Sequence, residues 1–410
     1  MPFRAMSILK RGGRLCLAGQ LRVSAIPKRK PGERAVRSVA DADFVRRQNR
    51  GLVLSALRRL GPMSRTQLAT ATGLSNASLT AIGGELIAQG VLAEGDQLAP
   101  AGARGRPAVA VRFNRRACHA VIVELDVNRL RCSLIDYAGT LVDHTEMPIT
   151  AGVLSQGKPQ DLLIGRVAQI RDRNPEEART IRHIAVSVQG ILDPEADGLR
   201  WSPIPHVAGQ PLATPLRNAF DVPVRLQKRG GLLAEGARLL FPEFEGLPLA
   251  AMFIGSTVAM GLSVPGRGIS AEGATEFGHM NHVPGGALCR CGQKGCIEAY
   301  AADYGVLRTA YGVPDQVAPA ASVPTAAYQE LVHLAQTGRR NAIHAFNMAG
   351  RAIGFGLSRL LTIAAPAHVV ITGPGANAFE LMRSEIDLAL KDSLVARING
   401  APSITVQHDE

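Results

Sequence analysis

The sequence predicts an α/β protein in two parts: an N-terminal winged helix-turn-helix head, then a larger body of alternating strands and helices. Three observations predict it. Charge is split along the chain, because residues 1–116 hold 21 Lys and Arg against 6 Asp and Glu (+15), whereas the remainder holds 25 against 28 (−3). Near residue 73 a glycine turn lies between two short segments that open on helix-capping residues. Beyond residue 117, apolar strand-like runs alternate with helical ones.

Length and composition bound the possibilities. At 410 residues, 46% hydrophobic and 20% charged, the chain has room for two or three cores and an ordinary globular make-up. No run approaches the roughly 18 apolar residues of a membrane span, so no membrane partner is expected. Apolar stretches before Leu17 are too interrupted for a signal peptide, and Cys16, Cys118 and Cys132 are too scattered for a disulfide framework, which points to the cytoplasm. The basic end asks for a polyanion, nucleic acid ahead of an anionic membrane surface. Within it, residues 1–40 carry ten basic side chains and one acidic, including Pro27-Lys-Arg-Lys-Pro31, without sustained periodicity. Residues 1–42 read as a flexible basic arm, or as an upstream extension with no role.

The head is read over residues 43–116. Phe44, Val45, Leu52, Val53, Ala56, Leu57 and Leu60 fit one helical stripe, and Gly61-Pro62 ends that helix. Ser64-Arg-Thr-Gln67 is a capping box for a short second helix over 65–72. Gly73 makes the turn, Leu74 is its buried residue, and Ser75 caps a third helix to about residue 89. The first turns of that helix present Asn76, Ala77, Ser78 and Thr80 to a major groove; with Ser75 and Arg65 these are the expected DNA contacts. Residues 93–113 alternate like a two-stranded hairpin, the wing, in which Arg104-Gly-Arg106-Pro suits a narrow minor groove. Gly83-Gly84 goes against the pattern. A mid-helix glycine costs about 1 kcal/mol relative to alanine, so fraying, bending or close packing is expected there.

Over 117–410 the strands come first as a meander, 121–125, 131–136 and 141–146, and then singly at 183–188, 250–254 and 368–371. A long apolar helix near 345–364 precedes the last of them. This is the layout of a two-lobed actin-like or hexokinase-like ATPase fold, with a small lobe over 117–225 plus 376–410 and a large lobe over 226–375.

Inside the large lobe, Glu276-Phe-Gly-His279 is followed by Cys289-Arg-Cys291-Gly-Gln-Lys-Gly-Cys296-Ile-Glu298, which places three of six cysteines within eight residues. Three thiolates and one imidazole, from Cys289, Cys291, Cys296 and His279, complete a tetrahedral structural Zn2+ site with no position left for water. Gly292 and Gly295 let the backbone close around an ion. A disulfide pair or buried free thiols are the alternatives. A closed zinc site does no chemistry, so its role would be to fix the loop that carries Glu276 and Glu298.

The glycine-turn head, the Glu276-x-Gly-His279 box and the cysteine run, in this order, resemble the ROK family of repressors, open reading frames and sugar kinases. The resemblance implies zinc on the four ligands above and a sugar site that uses Glu276, His279 and Glu298, the histidine turning its second ring nitrogen to the ligand. Three departures separate the chain from the family's kinases. Their Asp-x-Gly-Gly-Thr phosphate turn is here Asp126-Val-Asn-Arg-Leu130, and their Gly-Thr-Gly-x-Gly loop is Gly255-Ser-Thr-Val-Ala259. The Asn-Asp pair that carries their general base falls on Leu226-Gln227, or on Lys228 with a one-residue gap. An amide is no base, so Gln227 is expected in the ligand site without a catalytic role. The resemblance therefore implies a sequence-specific regulator, most often a repressor in this family, of carbohydrate uptake or catabolism genes. It would bind a double-stranded DNA operator as a homodimer or homotetramer, respond to a sugar or sugar phosphate, and lack kinase activity. The alternatives are a sugar kinase with a fused DNA-binding head, and a dimer whose DNA binding needs no ligand.

Overall fold

The computed structural model describes residues 42–98, 108–149, 153, 157–244, 246–264 and 274–408. Residues 1–41 of the basic arm, and Arg104 and Arg106 of the wing, lie outside them. The chain divides into a unit Met1–Gln48 and a unit Asn49–Glu410. Of the first, the described residues open helix α1 (Ala42–Leu60).

In the second unit, capping chemistry sets out the head. After the short strand β1 (Met63–Ser64), Ser64 Oγ accepts from Gln67 N at 3.2 Å while the Gln67 side chain accepts from Ser64 N at 2.8 Å. This closed capping box starts α2 (Arg65–Thr72). Gly73 ends it in the left-handed region, φ 70°, where a Cβ would be strained, and its N–H donates to Ala69 O. Ser75 caps α3 (Asn76–Ala88) by accepting from Ser78 N at 3.1 Å. β2 (Leu92–Leu98) and β3 (Ala108–Phe113) form the expected antiparallel pair, and β1 adds to the far edge of β3, so the wing sheet has three strands. The packed stripe of α1 is narrower than the sequence suggests: Val53, Ala56 and Leu57 are buried, whereas Leu52 and Leu60 are exposed. Arg50 fixes the packed face by bonding Glu85 of α3 at 2.8 Å.

The helix α3 runs unbroken through Gly83-Gly84, and a Cβ on either glycine would meet no atom within 4 Å. Close packing is therefore not their reason. Gly84→Ala is expected to stabilise α3 by about 1 kcal/mol, since the alanine restricts the unfolded chain and fits the helix without contact. Slower amide hydrogen exchange along α3 is the readout, and faster exchange would contradict it.

Among the described residues, the body holds two five-stranded sheets. In the first, β4 (His119–Leu125), β5 (Arg129–Asp136) and β6 (Leu141–Pro148) are the antiparallel meander. Helix α4 (Pro159–Arg173) leads to β7 (Ile181–Val188), the small hairpin β8 (Ile191–Leu192) and β9 (Leu199–Trp201), helix α5 (Ala213–Phe220) and β10 (Val224–Lys228). The order is β10-β7-β4-β5-β6, with β4, β7 and β10 parallel. Val121, Val123 and Leu125 alternate into a core shared with Leu163, Val167 and Ile170 of α4.

Helix α6 (Arg229–Leu240) leads from β10 to the second sheet, packing on β11 (Leu249–Ile254) and β12 (Val258–Ser263). That sheet adds β13 (Ala274–Thr275), then β14 (His368–Thr372) after the long helix α7 (Arg340–Ile363), then β15 (Ser403–Val406) after α8 (Phe379–Lys391), in the order β13-β12-β11-β14-β15. The segment 376–410, assigned from the sequence to the small lobe, belongs with this second sheet. Its strand β15 pairs with β14, and the apolar stripe Phe379, Met382, Ile386 and Leu390 of α8 is buried in the core that includes α7. A boundary at 225 would also cut β10, which lies wholly in the first sheet.

Parallel pairing sets the site. The carboxyl ends of β4, β7 and β10 share one edge, so Asp126, Gln189 and Lys228 leave the first sheet side by side. Ligands of α/β sheets sit in the crevice outside such ends.

Candidate ligand site and metal-ligating cluster

A cleft of about 40 Å³ lies at that edge. From the first sheet and its hairpin come Gln189, Trp201 and Lys228; from the second come Thr257, Glu276, His279 and Glu298. Lys228 ion-pairs with Glu276 across it, and Trp201 meets the His279 ring edge to face at 5.2 Å. Both polar atoms of the Gln189 carboxamide and Thr257 Oγ1 are buried without a hydrogen-bond partner. A buried unpartnered polar group costs about 1–3 kcal/mol, so three of them on one cleft mark a place to be completed by another molecule.

The structure brings Glu276, His279 and Glu298 together, but Gln227 does not line the cleft. The reason is strand alternation: Leu226 is in the core, Lys228 reaches the cleft at the strand end, and Gln227 between them faces the opposite side of the sheet. Glu298 is 2% exposed and accepts the Val258 N–H at 3.1 Å; burial raises its carboxyl above the ordinary range, although the neighbouring His279 opposes this. Three of these cleft residues, Gln189, Trp201 and Thr257, escaped the sequence reading. Trp201 is the chain's single tryptophan and Gln189 follows a strand that was read, but contacts between two sheets leave no periodic trace in a sequence.

Behind the cleft, His279, Cys289, Cys291 and Cys296 bring one ligand atom each within 4.8 Å of one another. Cys289 Sγ lies 3.7 Å from His279 Nδ1, and Cys291 Sγ 3.7 Å from Cys296 Sγ. Tetrahedral ligands at about 2.3 Å from a zinc ion stand roughly 3.8 Å apart, whereas a disulfide needs about 2.05 Å. Gly292 and Gly295, at φ 85° and 83°, turn the backbone around the cluster as the spacing predicts. The hydrogen bond to Cys296 and burial both push the Cys289 thiol well above its ordinary value, so thiolates here need a cation to form. The donor set fits a divalent ion of the zinc type.

Beside the cleft stands a buried charge cluster. Arg229 Nη1 donates to Asp126 Oδ2 at 2.6 Å and Ser256 Oγ donates to Asp126 Oδ1 at 2.6 Å, while the guanidinium lies 4.5 Å from the centre of the Phe253 ring. Asp126 is 5% exposed and Arg229 8%. Burial alone would raise the Asp126 carboxyl, but the Arg229 charge and the hydrogen bonds from Ser256 and Arg229 hold it below the usual range. The turn after β4 and the loop after β11 are thus tied to each other through side chains. Two of the loop's amides are engaged as well, Gly255 N with Thr257 O at 3.1 Å and Val258 N with Glu298.

In the head, Asn76, Ala77 and Thr80 are exposed and Ser78 is half-buried. Ser75 Oγ is engaged as the cap, Thr80 Oγ1 donates to Asn76 O at 2.8 Å, and Arg65 pairs with Glu94 of β2 at 2.9 Å. Head and body meet at a joint in which Arg58 lies over the rings of Phe113 (4.9 Å) and Tyr137 (5.9 Å), the latter on the β5–β6 turn.

The family model described as "ROK family" matches residues 121–409. The xylose repressor of Bacillus subtilis (strain 168) is 23% identical over 355 residues, 85% of this chain and 88% of that one. The DNA-binding transcriptional dual regulator NagC of Escherichia coli (strain K12) is 25% identical over 362 residues, 87% of each chain. Among solved structures, a ROK family transcriptional regulator described as a homologue of the E. coli Mlc protein superposes with a TM-score of 0.66 at 22% identity, covering 88% of this chain and 91% of that one.

Proposed function

Because the chain belongs to the ROK family, we propose that it is a DNA-binding transcriptional repressor of carbohydrate uptake or catabolism genes. Its body would bind a sugar or sugar phosphate without phosphorylating it. The observation that carries this reading is the Asp126–Arg229–Ser256 cluster, which puts a guanidinium and two side-chain hydrogen bonds where a kinase leaves bare backbone for phosphate. With Lys228 and not a carboxylate at the end of β10, no general base faces a ligand hydroxyl there. The relatives named for repression and for transcriptional regulation support the same reading.

His279, Cys289, Cys291 and Cys296 would hold zinc, which supplies rigidity and no catalysis because four protein donors leave no open position. Nδ1 of His279 faces the cysteines, which leaves its other nitrogen, with Glu276 and Glu298, for ligand hydroxyls. A ligand that enters between the sheets would break the Lys228–Glu276 pair, and the change would reach the head through the β5–β6 turn, Tyr137 and Arg58. Ligand binding then favours an arrangement that fits the operator less well. Asn76, Ala77 and Thr80, with Ser78, would read the major groove, and two heads of a homodimer or homotetramer would meet half-sites spaced by whole helical turns.

Fluorescence anisotropy of the full chain with duplex DNA from upstream of its own gene is expected to give a Kd on the order of 10⁻⁸ M or tighter near physiological salt, weakening as salt rises. Equal affinity for a shuffled duplex would contradict sequence-specific binding. Steady turnover of ATP with a panel of hexoses would favour the kinase alternative instead.

A further inference from the structure

The cations of the cleft are already matched, and its buried unpartnered polar atoms are neutral. Its lining holds two full-time cations. Lys228 is paired with Glu276, and Arg229 is paired with Asp126 at 2.6 Å and covered by the Phe253 ring. A phosphate or carboxylate entering here finds no spare cation. It would have to take Lys228 from Glu276 and leave that carboxylate beside a second anion, a like-charge contact at a solvent-exposed carboxylate that costs on the order of 1 kcal/mol. The atoms that do lack partners are the Gln189 carbonyl oxygen and amide nitrogen and the Thr257 hydroxyl, on residues each 5% exposed. One acceptor, one donor and one group that can be either match ring hydroxyls, and the Trp201 indole beside His279 adds an apolar wall.

We propose that the ligand is an uncharged polyhydroxylated ring, a free sugar and not a phosphorylated or acidic one, and that the Lys228–Glu276 pair is the element that excludes the charged derivatives. This rests on the sugar-sensing reading above. While the pair stays closed it also narrows the cleft, so an entering sugar exchanges it for hydrogen bonds to Glu276 without changing the net charge of the site.

Isothermal titration calorimetry of the full chain tests this with matched probes: glucose, glucose 6-phosphate and gluconate, and xylose, xylose 5-phosphate and xylonate. At least one neutral sugar is expected to bind at least tenfold more tightly than its charged derivatives. Glu276→Gln, which leaves the Lys228 ammonium unpaired, is expected to shift that ratio tenfold or more toward the phosphate. Lys228→Met, which leaves Glu276 alone, is expected to widen it. Tighter binding of a phosphate by the unaltered chain overturns the proposal and leaves the sugar-sensing reading standing. So does a ratio that stays unmoved in Glu276→Gln, or, if that variant binds nothing, a ratio that narrows in Lys228→Met. Saturable heat from no probe in either charge class would overturn the sugar-sensing reading, and this proposal with it.

Discussion

Replacing Cys289 by serine is expected to cost the chain its metal and to loosen the whole loop from Glu276 to Glu298. Cys289 and Cys296 are 1% and 2% exposed and sit in one core with Phe277, Ile297 and Tyr300, so the cluster is part of the packing of the second sheet's lobe. Structural zinc contributes apparent binding free energies of about 10 kcal/mol or more in small sites, which is comparable to the 5–15 kcal/mol that keeps a domain folded. Even half of that would lower the melting temperature by about 10–20 °C. Elemental analysis is expected to find one zinc per chain, and less than a tenth of that in Cys289→Ser. Sugar binding should fall with the metal, because His279 and both glutamates lose their support, whereas the head keeps its own core of Val53, Leu57, Leu79 and Leu86. Because the thiols must ionise to hold the ion, metal retention should weaken as pH falls. An unaltered chain that binds no zinc and melts unchanged in chelator would contradict the assignment.

Arg229→Met should be the other severe substitution. It leaves the Asp126 carboxyl buried with only the Ser256 hydroxyl, and breaking one side of a buried ion pair costs about 3–5 kcal/mol. The double variant Asp126→Asn with Arg229→Met removes both charges and is expected to recover most of that loss. The pH dependence separates the explanations. In the unaltered chain the Asp126 carboxyl is held below its ordinary value, so the cluster's contribution is fully present above the unfolded-state pKa of about 3.9 and is lost as pH falls through the lower folded value. Without Arg229, burial is the largest influence left and raises that carboxyl, so the variant should instead lose stability as pH rises above about 4. Urea denaturation at several pH values checks this. Equal losses at acid and neutral pH would mean that Arg229 acts through packing alone.

What the sequence made legible was local in origin. The capping box of Ser64 and Gln67, the Gly73 turn and the cysteine spacing each depend on residues a few positions apart, and their chemistry could be read where it stands. Strand positions in the first sheet followed from alternation, as in β4. What escaped depends on residues far apart in the chain. The partnership of Arg229 with Asp126 spans 103 positions and that of Ser256 with Asp126 spans 130, and neither has a period or motif. Gln227 was assigned to the ligand site by counting from the kinase pattern. A count that slips by one residue on a strand moves a side chain to the opposite face, and Lys228 occupies the place instead. The C-terminal segment was misplaced for a related reason: whether β15 joins one sheet or the other depends on pairing with β14, 35 residues away, and not on anything in its own sequence.

The link between sugar and DNA is tested most directly by one titration: the full chain on its upstream duplex, followed by fluorescence anisotropy, with and without the neutral sugar that gives the largest calorimetric heat. Saturating sugar is expected to raise the DNA Kd tenfold or more, and operator DNA should weaken sugar binding by the same factor, since coupling between two sites is reciprocal. A DNA Kd that does not move while the sugar site is saturated would contradict a sugar-responsive repressor and leave a head and a body that act independently.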